Sequence, residues 1–348
     1  MPQIAGKEIG PIGYGMMGFG MKPMMGLPLD TAQAFEALDA ALASGCNFWN
    51  GGEFYGPPDN NSLVLLEKYL AARPEGTADK IVLSVKGCFS HATMSADGSP
   101  EGVRRSIDGC LAQLKGRKSK IDIFQCARRD PNVPLEVTLG VIENEYVKTG
   151  KVGGIGLSEV RAETIHEAVK VATIAAVEVE LSLWSTEILT NGVAEACAQY
   201  GIPIVAYSPV GRGFLTGQFQ TWEDVEKAAA TNPAVRMSPR FAKENFDNNL
   251  ALVHRVQAIV DAKGGGCTPA QLAINWTRVL PRLSAPLKQK MPSGAIVVPI
   301  PGSSAPERVI ENAALVDLSE DEMKQIDDIL DKFVPAGGRY PSSVPINT

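Results

Sequence analysis

Gly13-Tyr14-Gly15-Met16-Met17-Gly18 fits the pattern GxGxxG, which in dinucleotide-binding open sheets joins a strand directly to a helix. The residues that follow include Gly20, Pro23, Gly26 and Pro28, a composition that argues against a helix there. The segment therefore reads as a strand over residues 12–15 that ends in a glycine turn beside a ligand. The rest of the chain then decides which sheet the strand belongs to.

Working outward, short apolar runs rich in Val and Ile recur at residues 81–86, 121–127, 152–158, 175–182, 204–208 and 296–300. Each is bounded by Gly, Pro or Ser, as parallel strands buried on both faces should be. With residues 12–15 and 47–51 they make a set of eight. Helical stretches lie between them. Phe35, Leu38 and Leu42 recur at helical spacing after Asp30, an N-cap, and Ser99-Pro100-Glu101 supplies a cap, a first-turn proline and an acid. Ser319 with Glu322 forms a capping box for the last helix. Eight strand–helix units in one chain favour a closed (β/α)8 barrel of the α/β class over an open sheet. Residues 209 to about 245 break the rhythm with Gly211-Arg212-Gly213, Pro233 and Pro239; they read as an extended loop covering a cofactor at the C-terminal face. The whole chain, 1–348, reads as a single domain, with about 333–348 as a tail or loop.

Composition narrows the function. Of 348 residues, 45% are hydrophobic, and 33 Lys and Arg against 39 Asp and Glu give a net charge of −6. That balance offers no basic footprint for nucleic acid or anionic lipid. No signal-like N-terminus and no apolar run long enough to span a membrane occur. Six scattered cysteines without a CxxC pair suggest reduced thiols in a cytoplasmic protein, and three histidines argue against a metal centre. No residue pattern speaks to oligomeric state.

Several motifs follow one another in order. Asn47-Phe48-Trp49-Asn50-Gly51-Gly52-Glu53-Phe54-Tyr55-Gly56 comes first, and Ile81-Val82-Leu83-Ser84-Val85-Lys86 ends a buried strand on a lysine. Next are Gly156-Leu157-Ser158-Glu159-Val160 and Val177-Glu178-Val179-Glu180-Leu181-Ser182-Leu183. Ala206-Tyr207-Ser208-Pro209, Gly211-Arg212-Gly213-Phe214-Leu215-Thr216-Gly217 and Pro301-Gly302-Ser303-Ser304-Ala305-Pro306-Glu307-Arg308-Val309-Ile310-Glu311-Asn312 complete the series. Together they resemble the aldo-keto reductase superfamily, and the run over residues 49–56 with Gln125-Cys126-Ala127-Arg128 resembles, within it, the branch of fungal pyridoxal reductases.

The resemblance implies Tyr55 as proton donor, assisted by Lys86 and Asn50. A phenol near pKa 10 is a poor acid at neutral pH, and a nearby ammonium eases its ionisation. It further implies NADPH as cofactor, with Ser158 and Glu178 at the carboxamide, Tyr207 stacked on the nicotinamide, and Ser208 and Arg212 bordering the pyrophosphate. Ser303 and Arg308 would meet the 2′-phosphate, where a guanidinium fork donates two hydrogen bonds at once, and Glu311 and Asn312 the adenine. No metal is implied.

Three positions depart from the family pattern. Asn50 stands where an aspartate is usual, so it brings Lys86 no counter-charge. Ala127, in Asp122-Ile123-Phe124-Gln125-Cys126-Ala127-Arg128, stands where a histidine is usual and leaves room for a bulky aromatic aldehyde, with Arg128 or Arg129 supplying polarisation. Glu178 likewise stands where glutamine is usual. Trp49, Ala127, Arg128 and Trp184 are the expected substrate contacts, with Phe89, Arg339 and Tyr340 as further candidates. The implied reaction reduces pyridoxal to pyridoxine. Reduction of another aldehyde or ketone, or a slow NADPH-binding regulatory role, are the alternatives.

Overall fold

The computed structural model describes residues 2–90, 93, 95–282 and 291–348. Eight short parallel strands stand in chain order: β1 (Tyr14–Gly15), β2 (Phe48–Gly52), β3 (Val82–Gly87), β4 (Ile123–Cys126), β5 (Ile155–Ser158), β6 (Ile174–Glu180), β7 (Ile204–Tyr207) and β8 (Val297–Pro299). Gly13 N donates to the Pro299 carbonyl at 2.9 Å and Gly15 N to that of Pro301 at 3.1 Å, joining the first strand to the last. Strands in sequence order with their ends joined make the (β/α)8 barrel that the alternation predicts.

The helices between them are α1 (Thr31–Ala43), α2 (Ser62–Ala71), α3 (Pro100–Gln113), α4 (Leu135–Val141), α5 (Ala162–Ala168), α6 (Val193–Gln199), α7 (Pro269–Val279) and α8 (Pro306–Ala313). Their starts are where the cap residues predict. Asp30 accepts from Gln33 N at 3.0 Å, Ser99 from Gly102 N at 3.0 Å with Pro100 in the first turn, and Ser319 with Glu322 closes a capping box on Glu320–Leu330.

Because side chains alternate along each strand, the interior divides into rows. Phe48, Val82, Ile123, Ala176, Val205 and Val298 point inward near the strand starts and cluster with Ile4 and Ile9. Two residues further along, the inward row becomes polar: Asn50, Ser84, Gln125 and Glu178, with Tyr207 on β7. Outward residues such as Tyr14, Trp49, Leu83, Phe124 and Val177 pack under the helices. An apolar floor thus lies beneath a polar mouth at the strands' C-terminal ends.

Residues 17–24 differ from the expectation. Met17–Met24 is a helix, with Pro23 inside it. Pro23 sits in the last turn, where only the bond to the Phe19 carbonyl is lost. A Cβ on Gly20 would lie 2.2 Å from the Tyr55 carbonyl oxygen, so the glycine is what lets the helix seat against the backbone of Tyr55. Packing has overridden local propensity.

The break after β7 is also more structured than a plain loop. It carries short helices at Gly211–Thr216, Trp222–Ala229, Pro233–Met237 and Pro239–Phe241 before the long Lys243–Ala262. Phe214, Phe219 and Phe241 pin it to Trp184 through ring contacts of 4.4–6.0 Å. Residues 333–348 form an irregular strap that returns across the barrel mouth. No helix among the described residues is long and apolar enough to cross a membrane.

Candidate active site

The polar row converges on one buried carboxylate. Glu178 accepts from the Lys86 ammonium in a short ion pair, from Asn50 Nδ2 at 2.7 Å and from Gln125 Nε2 at 2.6 Å. Asn50 Oδ1 in turn accepts from Lys86 Nζ at 3.2 Å, and Gln125 Nε2 also donates to Ser84 Oγ at 3.2 Å. The sheet register explains the convergence: Asn50 pairs with Ser84, Gly52 with Lys86, and Lys86 with Gln125. Glu178 thus brings a carboxylate to Lys86 from across the barrel. Burial works against the Lys86 cation, but Glu178 and then Tyr55 outweigh it and hold its pKa above the ordinary lysine value.

Tyr55 hangs over this row from the loop after β2. Glu53 N donates to the Lys86 carbonyl, Tyr55 N to that of Gly52, and Ser62 N to that of Tyr55. Asn61 caps α2 and donates to the Glu53 carbonyl at 2.8 Å. The Glu53 carboxylate, raised in pKa chiefly by burial, accepts from Ser106 Oγ at 2.8 Å. A Cβ at Gly52 would meet the Tyr55 ring at 3.2 Å, so glycine there admits the ring. Lys86 Nζ lies 5.7 Å from the Tyr55 ring centroid and 6.0 Å from that of Tyr207. Burial raises the Tyr55 pKa, Lys86 opposes it, and burial wins; the phenol is protonated at neutral pH.

Above the row lies a second charged cluster built with the C-terminal strap. Arg339 pairs with Glu159 at 3.1 Å and Glu180 at 3.3 Å, and Arg212 pairs with Glu180 at 3.3 Å. Tyr207 donates its hydroxyl to Glu159 at 2.7 Å and meets the Tyr340 hydroxyl at 3.0 Å. Arg212 donates to the Arg339 carbonyl at 2.8 Å and lies 4.5 Å from the Tyr340 ring centroid. Burial would raise the Glu159 carboxyl, but Arg339 holds it below the ordinary glutamate value.

The remaining expected contacts are scattered in depth. Ala127 is inward and buried, with its N–H on the Gly87 carbonyl. Arg128 donates to the Pro345 carbonyl at 2.6 Å and lies 5.7 Å from the Tyr340 ring, fastening the strap. Arg129 is turned away to Glu167 and Thr164, so it does not face the mouth. Trp49 points into the helix layer, where it donates to the Cys46 carbonyl at 2.7 Å and touches Tyr14 and Tyr69; strand alternation puts it behind Asn50 and away from the mouth. Trp184 stacks on Phe214 under the long loop. Glu159, Glu180, Ser84 and Gln125 were not singled out by motif, although Ser84 with Lys86 and Glu180 with Glu178, polar residues two apart in apolar strands, must share one face.

The mouth has features that suit a dinucleotide. Ser158 Oγ is buried beside Glu178 in the register and has no hydrogen-bond partner among the described residues. Ser208, Gly211, Arg212 and Gly213 take left-handed backbone, at φ 52°, 57°, 57° and 95°, in the turn that follows Tyr207. Ser303 precedes α8, its hydroxyl accepting from Ala305 N at 3.1 Å. Arg308 is exposed on the first turn of α8, its guanidinium 3.4 Å from Gln218 of the long loop. Glu311 accepts from Thr268 Oγ1 at 2.6 Å and ties α8 to the cap of α7, with half-buried Asn312 beside it. These residues follow one arc, from the centre of the mouth to its α8 rim.

Comparison with known proteins agrees with the geometry. The sequence profile of the Aldo/keto reductase family matches residues 11–331. A "Probable pyridoxal reductase 2" of Schizosaccharomyces pombe is 37% identical over 98% of this chain and 97% of its own length. A "Putative pyridoxal reductase" of Saccharomyces cerevisiae is 34% identical over 94% and 95%. Among solved structures, the glycerol dehydrogenase of Gluconobacter oxydans superposes with a TM-score of 0.75 at 20% identity, covering 96% of this chain and 95% of its own. A thermostable aldo-keto reductase gives a TM-score of 0.66 at 21% identity, over 94% and 98%. The chain belongs to the aldo/keto reductase family.

Proposed function

We propose that this chain is an NADPH-dependent carbonyl reductase that converts pyridoxal, or an aromatic aldehyde of its size, to the alcohol. The observation that carries the reading is the meeting of the Tyr55 phenol and the Lys86 ammonium at the barrel mouth. The names of the relatives, and the inward alanine at position 127, support the pyridoxal end of it.

A bound reduced nicotinamide supplies the hydride. Ser158, with its unused hydroxyl, is the residue for the carboxamide, and Tyr207 for the ring face. Arg308, at the surface beside Ser303, is the residue for the 2′-phosphate and so for NADPH over NADH. The Tyr55 O–H donates its proton to the substrate oxygen as negative charge develops there. Lys86 then stabilises the phenolate left behind, and Asn50 orients Lys86. Arg128, on the rim at the strap, is the residue that would meet the entering aldehyde.

The test is cofactor oxidation with pyridoxal against a panel of aldehydes and ketones, run with NADPH and with NADH. Fast turnover of pyridoxal with NADPH supports the proposal. Preference for another carbonyl would reassign the substrate, and tight NADPH binding without any turnover would favour a regulatory role.

A further inference from the structure

Lys86 is buried at the centre of the mouth, and a buried cation needs a partner. Among the described residues, Glu178 is the carboxylate in contact with it. Asn50, Tyr55 and Tyr207 are the other groups that face its ammonium, and all three are neutral, the two phenols in their protonated forms. Glu178 is held from every side: Lys86 on one oxygen, Asn50 and Gln125 on the other. Charge and donors thus close on one another, with the negative charge on β6 and the amide on β2.

We propose that Glu178 is the counter-ion and positioning residue of Lys86, holding the ammonium charged and aimed at Tyr55, with Asn50 serving as the neutral bridge between them. The proposal rests on the reductase reading for its effect on turnover, but its electrostatic content does not.

The geometry makes a reciprocal exchange possible. In an Asn50→Asp, Glu178→Gln double variant, the carboxylate moves to β2 and accepts from Lys86 across the 3.2 Å now spanned by Asn50 Oδ1. The amide introduced at position 178 would donate to that carboxylate across the contact that Asn50 Nδ2 makes now, its carbonyl would accept from Lys86 in place of Glu178 Oε1, and Gln125 would turn its amide so that its oxygen accepts from the new donor. Glu178→Gln alone leaves Lys86 a buried cation without its anion.

Two measurements on the wild type, E178Q and N50D/E178Q test this. In steady-state reduction, E178Q should lose about a hundredfold in kcat, with the alkaline limb of its pH profile moved to lower pH and KM for NADPH changed less than about threefold. The double variant should regain most of both. A rise in KM for NADPH with kcat and the pH limb unchanged would make Glu178 a cofactor contact and overturn the proposal. In denaturant unfolding without substrate, Lys86 of E178Q should have its folded pKa depressed below the unfolded value near 10.4, because burial then acts without Glu178 to oppose it. The stability deficit of E178Q should therefore be largest near neutral pH and shrink as pH rises toward 10. The double variant should show little deficit. A deficit that is absent or independent of pH would overturn the proposal. If no variant, the wild type included, turns over any carbonyl, the reductase reading fails while the unfolding series still decides the role of Glu178.

Discussion

The two buried charge clusters at the barrel mouth are built differently. The inner one, Lys86–Glu178 with Asn50 and Gln125, is carried on β2, β3, β4 and β6, whose positions the sheet ladder fixes. The outer one, Arg339 with Glu159, Glu180 and Arg212, depends on a strap from the far end of the chain. Strands hold groups to small tolerances, which proton transfer needs. A strap holds by ion pairs and can release, which passage of a dinucleotide and its substrate needs. The difference suggests chemistry in the inner layer and access in the outer.

Breaking the inner cluster should do most harm. Lys86→Met leaves Glu178 as a buried carboxylate without its cation, and turnover should fall by about a thousandfold or more. Unfolding in urea should show a loss of about 3–5 kcal/mol, the usual range when one partner of a buried pair is removed. Unchanged stability would mean that the pair is no tighter than a surface contact.

Breaking the outer cluster should cost less in chemistry. For Arg339→Ala we expect a stability loss of about 2–3 kcal/mol, below that range because Glu180 keeps Arg212 and Glu159 keeps Tyr207. The pH dependence has a definite sign. Arg339 lowers the folded pKa of Glu159, so its contribution is present above the unfolded value near 4.3 and is lost as pH falls through the folded one. The gap between wild type and variant should therefore be constant near neutrality and close under acid. A gap that widens under acid would contradict the assignment.

Two smaller effects sharpen the assignment of the arc and the inner wall. Arg308→Ala should weaken NADPH binding about tenfold to a hundredfold, leave NADH binding alike and leave stability unchanged, since the residue is exposed. Equal loss for both cofactors would remove Arg308 from the 2′-phosphate. Ala127→His should lower kcat/KM for pyridoxal about tenfold while sparing small aldehydes, because an imidazole refills an inward space. Unchanged or improved kinetics on pyridoxal would sink the space argument.

Much of this was legible in the residues. Val- and Ile-rich runs placed six of the barrel strands, residues 12–15 and 47–51 completed the eight, and Asp30, Ser99 and Ser319 marked three helix starts, because caps and burial are local properties. The helix at Met17–Met24 was not legible: Gly18, Gly20 and Pro23 oppose it, and only contact with the Tyr55 backbone explains it. The sheet closes into a barrel, although the residues after Met16 do form a helix. At the mouth, Tyr55, Lys86 and Asn50 were named by motif, but the contacts of Lys86 and Asn50 with Glu178 were not. Glu178 lies 92 residues beyond Lys86 in sequence, and no spacing rule links residues that meet only when a barrel closes. Trp49 shows the converse: one position from Asn50 in sequence, it lies on the opposite face of the strand.

The most direct test compares wild type with Tyr55→Phe, measuring pyridoxal turnover and NADPH binding on the same preparations. The variant should bind NADPH as the wild type does and lose nearly all turnover, since only a proton donor is removed. Turnover that survives in Tyr55→Phe would contradict it and place the acid elsewhere at the mouth.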